Sequence, residues 1–285
     1  MIYLENILFP TEDDEWAFRL SVKRTCYNTM YPFYVLSQAG LARLDFAPIT
    51  ILYGGNGSGK TTALNVIAEK LSISRTAPFN RSNFFGDYVD MCQIHLENPI
   101  PSGSKIVTSD DVFDYMLNIR SLNEGIDRKK EMLFDEHYEA KHSAFQLRTV
   151  DDYQTLKKRN SARRKTQSAF VREQLMDNVR EQSNGESASF YFKQQIDADA
   201  LYLLDEPENS LSAAKQIELA EYLEESVRYM SCQLILSTHS PFLLAMKNAK
   251  IYDLDARPVD IKPWTQLQNV RTYHDFFSRH SDAFD

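Results

Sequence analysis

Three short, near-continuous apolar stretches stand out from a chain that otherwise mixes polar and apolar positions. Ile49, Ile51, Leu52 and Tyr53 form the first, Leu201–Leu204 the second, and Leu234, Ile235 and Leu236 the third. Runs of this kind are the pattern of strands covered on both faces. Elsewhere the period lengthens: Leu64, Ile67 and Leu71 recur at helical spacing directly after the first run, and residues from about Ser104 to Asn184 read as helical and charged. Ser109, followed by Asp110 and Asp111, resembles a helix start with acids in its first turn. The tail beginning at Pro263 reads as an amphipathic closing helix. No apolar run approaches the roughly 18 residues that would span a bilayer, so no membrane insertion is expected.

Each apolar run leads directly into a chemically specific stretch. After the first come Gly54, Gly55, Asn56, Gly57, Ser58, Gly59, Lys60, Thr61 and Thr62, which match G-x-x-x-x-G-K-[ST] without a mismatch. A strand, a glycine loop and a helix thus occur in the order a phosphate-binding loop requires. Glycines let backbone N–H groups converge on phosphate oxygens without Cβ obstruction, and the helix after the loop adds the positive end of its dipole. Lys60 would reach the outer phosphates, where a unit-charge pair at ~4 Å is worth about 4 kcal/mol at an effective dielectric of ~20. Thr61 would offer its hydroxyl to Mg²⁺.

The second run ends in Asp205 and Glu206, and Pro207 forces the chain out of the sheet. Adjacent carboxylates on a strand point to opposite faces and can take different tasks. Asp205 is expected to hold Mg²⁺ and Glu206 to polarise an attacking water. The third run leads into Ser237, Thr238, His239 and Ser240. A histidine at a strand end lies on the edge where ligands of open α/β sheets collect, and a γ-phosphate sensor is the expected role of His239.

Four stretches, "GGNGSGKTT", "SNGES", "YLLDEPENSLS" and "STHSPFLL", resemble in order and spacing the ABC-type ATPases, and among them the soluble SMC-like and RecF-like branch. The resemblance anchors the beginning and the last third of the chain. It implies an α/β P-loop NTPase fold: a mostly parallel, helix-flanked sheet, an antiparallel β portion near the N-terminus and an inserted helical arm. It further implies a first core segment over 1–104, an arm over 105–188 ending in the signature turn, and a second core segment over 189–285. Ser183 and Gly185 take the signature roles, although Gln182 and Asn184 replace the usual leucine and second glycine. In the family that turn touches a nucleotide held by a second copy, so the resemblance implies a C2 homodimer closed around two ATP molecules with Mg²⁺. Asn209 and Ser210 fall where the family's dimer-contact loop lies. The family's glutamine loop has two candidates, Gln93 and the Thr108–Ser109 region.

Composition narrows the partners less sharply. The net charge is −8, yet residues 151–180 hold eight basic and four acidic side chains. Lys157, Lys158, Arg159, Arg163, Arg164 and Lys165 are either a solvated helix surface or a contact for DNA phosphates or an acidic partner. The three cysteines lack metal spacing and suit a reducing cytoplasm, and the acidic, non-basic N-terminus argues against a secretory leader. Tyr31 or Tyr34 is either an adenine-stacking ring or simply core. As to role, small members of this branch imply an ATP-driven switch that controls a nuclease or toxin effector. A DNA-repair or chromosome-maintenance ATPase and a transporter's nucleotide-binding subunit are the alternatives.

Overall fold

The computed structural model describes residues 1–284 except 24, 25, 28, 143–159, 161–163, 165, 173, 174 and 176–183. The chain divides into two compact units, Met1–Val112 with Asn184–Asp285, and Phe113–Ser183.

The first unit is built on a six-stranded sheet in the order β5 (Lys105–Thr108), β6 (Leu201–Asp205), β7 (Gln233–Ser237), β3 (Ile49–Tyr53), β8 (Lys250–Asp253) and β9 (Asp260–Ile261). The first five run parallel, and β9 returns antiparallel to β8. All five residues of β3 and all five of β7 are buried, as the continuous apolar runs require. A second sheet, antiparallel, orders β2 (Arg43–Asp45), β1 (Leu4–Leu8) and β4 (Gln93–Leu96). The expected fold, a mostly parallel helix-flanked sheet with an antiparallel portion near the N-terminus, is what the chain adopts.

Register decides where chemistry can happen. Thr108 lies opposite Asp205, Asp205 opposite Ser237, Ser237 opposite Leu52, and Tyr53 opposite Asp253. The C-terminal ends of five neighbouring strands therefore reach one edge together, the edge at which parallel α/β sheets gather ligands. Two helices leave it directly. From β3 the glycine loop leads into α2 (Lys60–Lys70), whose residues 62–68 are all buried. From β5 the chain turns at once into α4 (Ser109–His142). Thr108 and Asp111 make that turn possible by capping each other: the Thr108 N–H and hydroxyl donate to Asp111 Oδ2 at 2.7 and 2.8 Å, and the Asp111 N–H donates back to the hydroxyl at 3.4 Å.

Residues 105–112 and 184–188 thus belong to the sheet unit rather than to the arm that the sequence assigns to 105–188. The reason is physical: Ile106 and Val107 are buried as the edge partners of β6, and α6 (Asn184–Gln195) buries Ala188 and Phe192. The second unit contains the continuation of α4 and α5 (Gln167–Arg172); Leu133, Phe170 and Val171 make its buried cluster. The His137 ring meets Phe170 edge-on at 5.2 Å. Of the basic run, Arg164 is helical and exposed, while Lys157, Lys158, Arg159, Arg163 and Lys165 lie outside the described residues.

The closing helix is present as α9 (Gln268–Arg279), but it does not close over the core. Only Val270 of the helix is buried, and Tyr273, Phe276 and Phe277 remain about half exposed (47%, 55% and 52%). Among the described residues no helix is long and apolar enough to cross a membrane.

Gln233 joins the two sheets. Its side chain is fully buried; Oε1 accepts from the N–H groups of Tyr3 and Leu4 at 2.8 and 2.9 Å, and Nε2 donates to the Leu4 carbonyl at 2.8 Å. A Gln233→Leu substitution would leave buried N–H groups unpaired, at about 1–3 kcal/mol each. Urea unfolding of that variant should show a loss of roughly 3 kcal/mol.

Candidate functional site

The glycine loop takes the shape that its composition allows. Gly57 and Gly59 have φ of +81° and +97°, a region that side chains with a Cβ rarely enter. A Cβ on Gly59 would also approach Leu36 to 2.9 Å. Lys60, only 5% exposed, folds back so that Nζ donates to the carbonyls of Gly54 and Gly55 at 2.8 and 3.0 Å. Burial lowers the pKa of this ammonium, and the carboxylates of Glu206, Asp205, Asp255 and Glu208 act in the opposite direction. Four acids surround one lysine.

Beside the loop, Thr61 Oγ1 donates to Asp205 Oδ1 at 3.1 Å, and the same oxygen accepts from Ser237 Oγ at 2.5 Å. Burial raises the Asp205 pKa, while the Ser237 and Thr61 hydrogen bonds pull it back. A hydroxyl and a carboxylate held together on one strand edge are hard oxygen donors of the type Mg²⁺ takes, and the surplus of negative charge suits a divalent cation. The donor types of Thr61 and Asp205 therefore fit the ion.

Glu206 departs from the strand. Its φ is +49°, and its N–H donates to the Ser237 carbonyl and hydroxyl, each at 3.1 Å. That left-handed turn separates the two acids as the sequence reading expects: Asp205 faces Thr61, whereas Glu206 Oε1 lies 3.6 Å from His239 Nε2. Its other oxygen accepts from Asn209 Nδ2 at 3.1 Å. His239 is one-third exposed, and burial together with Lys60 lowers the pKa of its ring. The carboxylates of Glu206 and Asp255 act in the opposite direction.

Gly54 through Thr62, Asp205, Glu206 and His239 all meet at this edge. Ser183 lies outside the described residues, and Gly185 is placed only as part of α6. Asn209 and Ser210 are exposed on the turn after Glu206. Of the two glutamine-loop candidates, Gln93 is an exposed residue of the small sheet, while Thr108 and Ser109 stand at the site edge. Tyr31 donates to or accepts from Thr62 Oγ1 at 3.0 Å and its ring tilts against Phe85; Tyr34 packs on the core.

Several residues of the site carry no sequence signal. Asp255, about 200 positions from the loop, accepts from the Gly55 N–H at 2.7 Å. Arg75 donates through Nη2 to Asn65 at 2.7 Å and covers the Phe79 ring at 3.8 Å. Its Nε and Nη1 are buried without hydrogen-bond partners. It lines a cleft of about 270 Å³ together with Tyr31, Thr61, Thr108, Ser109 and Asp205. Arginine N–H groups in that position can take phosphate oxygens. Nothing in the "SISRTAPF" spacing distinguishes it from an ordinary surface cation.

Residues 178–245, which carry Asp205, Glu206 and His239, match the family model described as "AAA domain, putative AbiEii toxin, Type IV TA system". None of the curated proteins compared matches the chain. Among solved structures, an SMC head bound to the C-winged helix domain of ScpA is 17% identical over 74% of this chain and 88% of its own, with a TM-score of 0.37. The SMC head domain from Thermotoga maritima is 12% identical over 92% and 99%, with a TM-score of 0.35. A dimeric bacterial ABC transporter cassette is 12% identical over 74% and 84%, with a TM-score of 0.37. The family match is confined to residues 178–245, and the phosphate loop and the strand order are those of a P-loop α/β fold.

Proposed function

We propose that the chain binds and hydrolyses ATP with Mg²⁺, and that ATP closes two copies into a dimer that controls a protein partner. One observation carries the catalytic part: Lys60, the Thr61–Asp205 pair and the Glu206–His239 pair are brought by strand register to a single edge. The backbone N–H groups of the loop and the α2 N-terminus would hold the phosphates, with Lys60 leaving the Gly54 and Gly55 carbonyls to pair with the outer ones. Mg²⁺, when bound through Thr61 and Asp205, would supply charge neutralisation. Glu206 would take a proton from water as its oxygen bonds the γ-phosphorus and the bond to the β-phosphate oxygen breaks. His239, beside Glu206, would donate a ring N–H to a γ-phosphate oxygen.

The dimer rests on the signature resemblance: Ser183 and Gly185 of each copy would complete the site of the other. A nuclease or toxin effector is the partner class that the resemblance to small soluble members favours, and the matched family's description is of the same kind.

Lys60→Ala should abolish ATP turnover; undiminished hydrolysis would refute the phosphate-loop reading. Glu206→Gln should lower turnover by about 10²–10⁴-fold. Light scattering at saturating ATP should then show a trapped dimer, and a monomer at every ATP concentration would remove the sandwich. Asp255 places a negative charge on the loop amide that phosphate would use. Asp255→Asn should accordingly tighten binding of a fluorescent ATP analogue severalfold, less so at high salt.

A further inference from the structure

The backbone of His239 is held at both its N–H and its carbonyl by residues that the catalytic reading does not use. On one side Glu208 Oε1 accepts from the His239 N–H at 2.6 Å. On the other, Asn269 Nδ2 donates to the His239 carbonyl at 2.7 Å. Both partners come from separate elements. Glu208 belongs to the turn after Glu206, and Asn269 is the second residue of α9.

We propose that Glu208 and Asn269 are positioning residues that clamp the His239 backbone and thereby set the imidazole against Glu206. This rests on the reading of His239 as a γ-phosphate contact.

Three features argue that the clamp is more than ordinary loop packing. First, Glu208 Oε2 is shut off from solvent; burial pushes the carboxyl pKa up, and hydrogen bonds from the His239 N–H, the Glu208 N–H and the Thr238 hydroxyl act against that shift. Desolvating a carboxylate is costly, and packing alone would favour an apolar side chain of similar volume. Second, Asn269 is itself fixed, since its N–H donates to the Tyr53 hydroxyl at 3.0 Å. Tyr53 is the last residue of β3, immediately before the glycine loop. Asn269 therefore references the histidine to the strand that carries the phosphate loop. Third, the chain after His239 has little freedom. Ser240 caps α8 (Pro241–Leu244) by accepting from the N–H groups of Phe242 and Leu243, and its hydroxyl donates at 2.7 Å to Gln216 of α7 (Ala213–Tyr229). With the next residues anchored, the bonds to the His239 N–H and carbonyl fix the backbone from which the ring projects.

The clamp also gives α9 a route to the catalytic edge. Its N-terminal turn is tied to His239 and Tyr53, while Tyr273, Phe276 and Phe277 farther along lie open to solvent. A displacement of α9 would act on the His239 carbonyl and on Tyr53 at the end of β3.

The test compares Asn269→Ala, Glu208→Ala, Glu208→Gln and His239→Ala in the full chain, by steady-state ATP hydrolysis, binding of a fluorescent ATP analogue, and the imidazole NMR resonances of His239 assigned by difference with His239→Ala. Asn269→Ala and Glu208→Ala should each lower kcat by about 10- to 100-fold, as misplacement of a catalytic group does, and move the His239 resonances. Analogue affinity should stay within about twofold. Glu208→Gln keeps an acceptor for the N–H and should restore most of kcat. In the His239→Ala background, Asn269→Ala should add nothing, because the cycle couples only if the asparagine acts through the histidine. Unmoved His239 resonances in Asn269→Ala, or an undiminished loss of kcat on top of His239→Ala, would overturn the clamp. If Glu208→Ala does not fold, Glu208→Gln and Asn269→Ala still decide. Should His239→Ala turn over normally, the γ-phosphate reading falls; the clamp then stands or falls on the resonances alone.

Discussion

The Asp205 carboxylate is where the sheet and the phosphate loop are tied together. One of its oxygens meets the hydroxyl of Thr61 at the start of α2 and the hydroxyl of Ser237 at the end of β7. The strand that carries it is buried on both faces, so the acid has almost no freedom to relocate. Burial raises its pKa, and the two hydroxyl donors act against that shift. Around the glycine loop Glu206, Asp205, Asp255 and Glu208 all act on Lys60. A cation against the acids and an anion against the lysine and the loop amides would balance both signs at once.

Backbone geometry completes what charge begins. Glu206 occupies a left-handed conformation that costs a non-glycine residue of order 1 kcal/mol or more. The forked bond from its N–H to Ser237 holds it there. The turn sends adjacent acids to different partners within a single residue, Asp205 to Thr61 and Glu206 to His239.

Much of this was legible in the amino-acid order because the responsible forces are local. Strands β3, β6 and β7 are sheathed on both sides, so their apolar runs mark them, and the motif residues come after each run without a gap. Strand β5 was not legible: four residues at a sheet edge, partly buried, carry too little periodicity to separate them from the helix they enter. The tail announced an amphipathic helix correctly, but amphipathicity does not state what covers the apolar side. Asp255, Arg75 and Asn269 were invisible for a different reason. Each reaches the site through the fold, from positions whose spacing to the motifs is arbitrary. Glu208 stood inside a recognisable motif, yet its bond to the 239 amide depends on how two loops meet.

Gln233 has a consequence for how the molecule is made. It bonds to Tyr3 and Leu4 across almost the whole sequence, and β3 lies between β7 and β8, both drawn from the last third. While a ribosome is still translating the first two hundred residues, the strand bearing the glycine loop has neither neighbour and the opening strand lacks its buried amide. Contacts of such long sequence separation make assembly slow and leave apolar edges open until synthesis is nearly finished. The strand that bears the glycine loop is therefore among the last parts of the sheet to gain both of its neighbours.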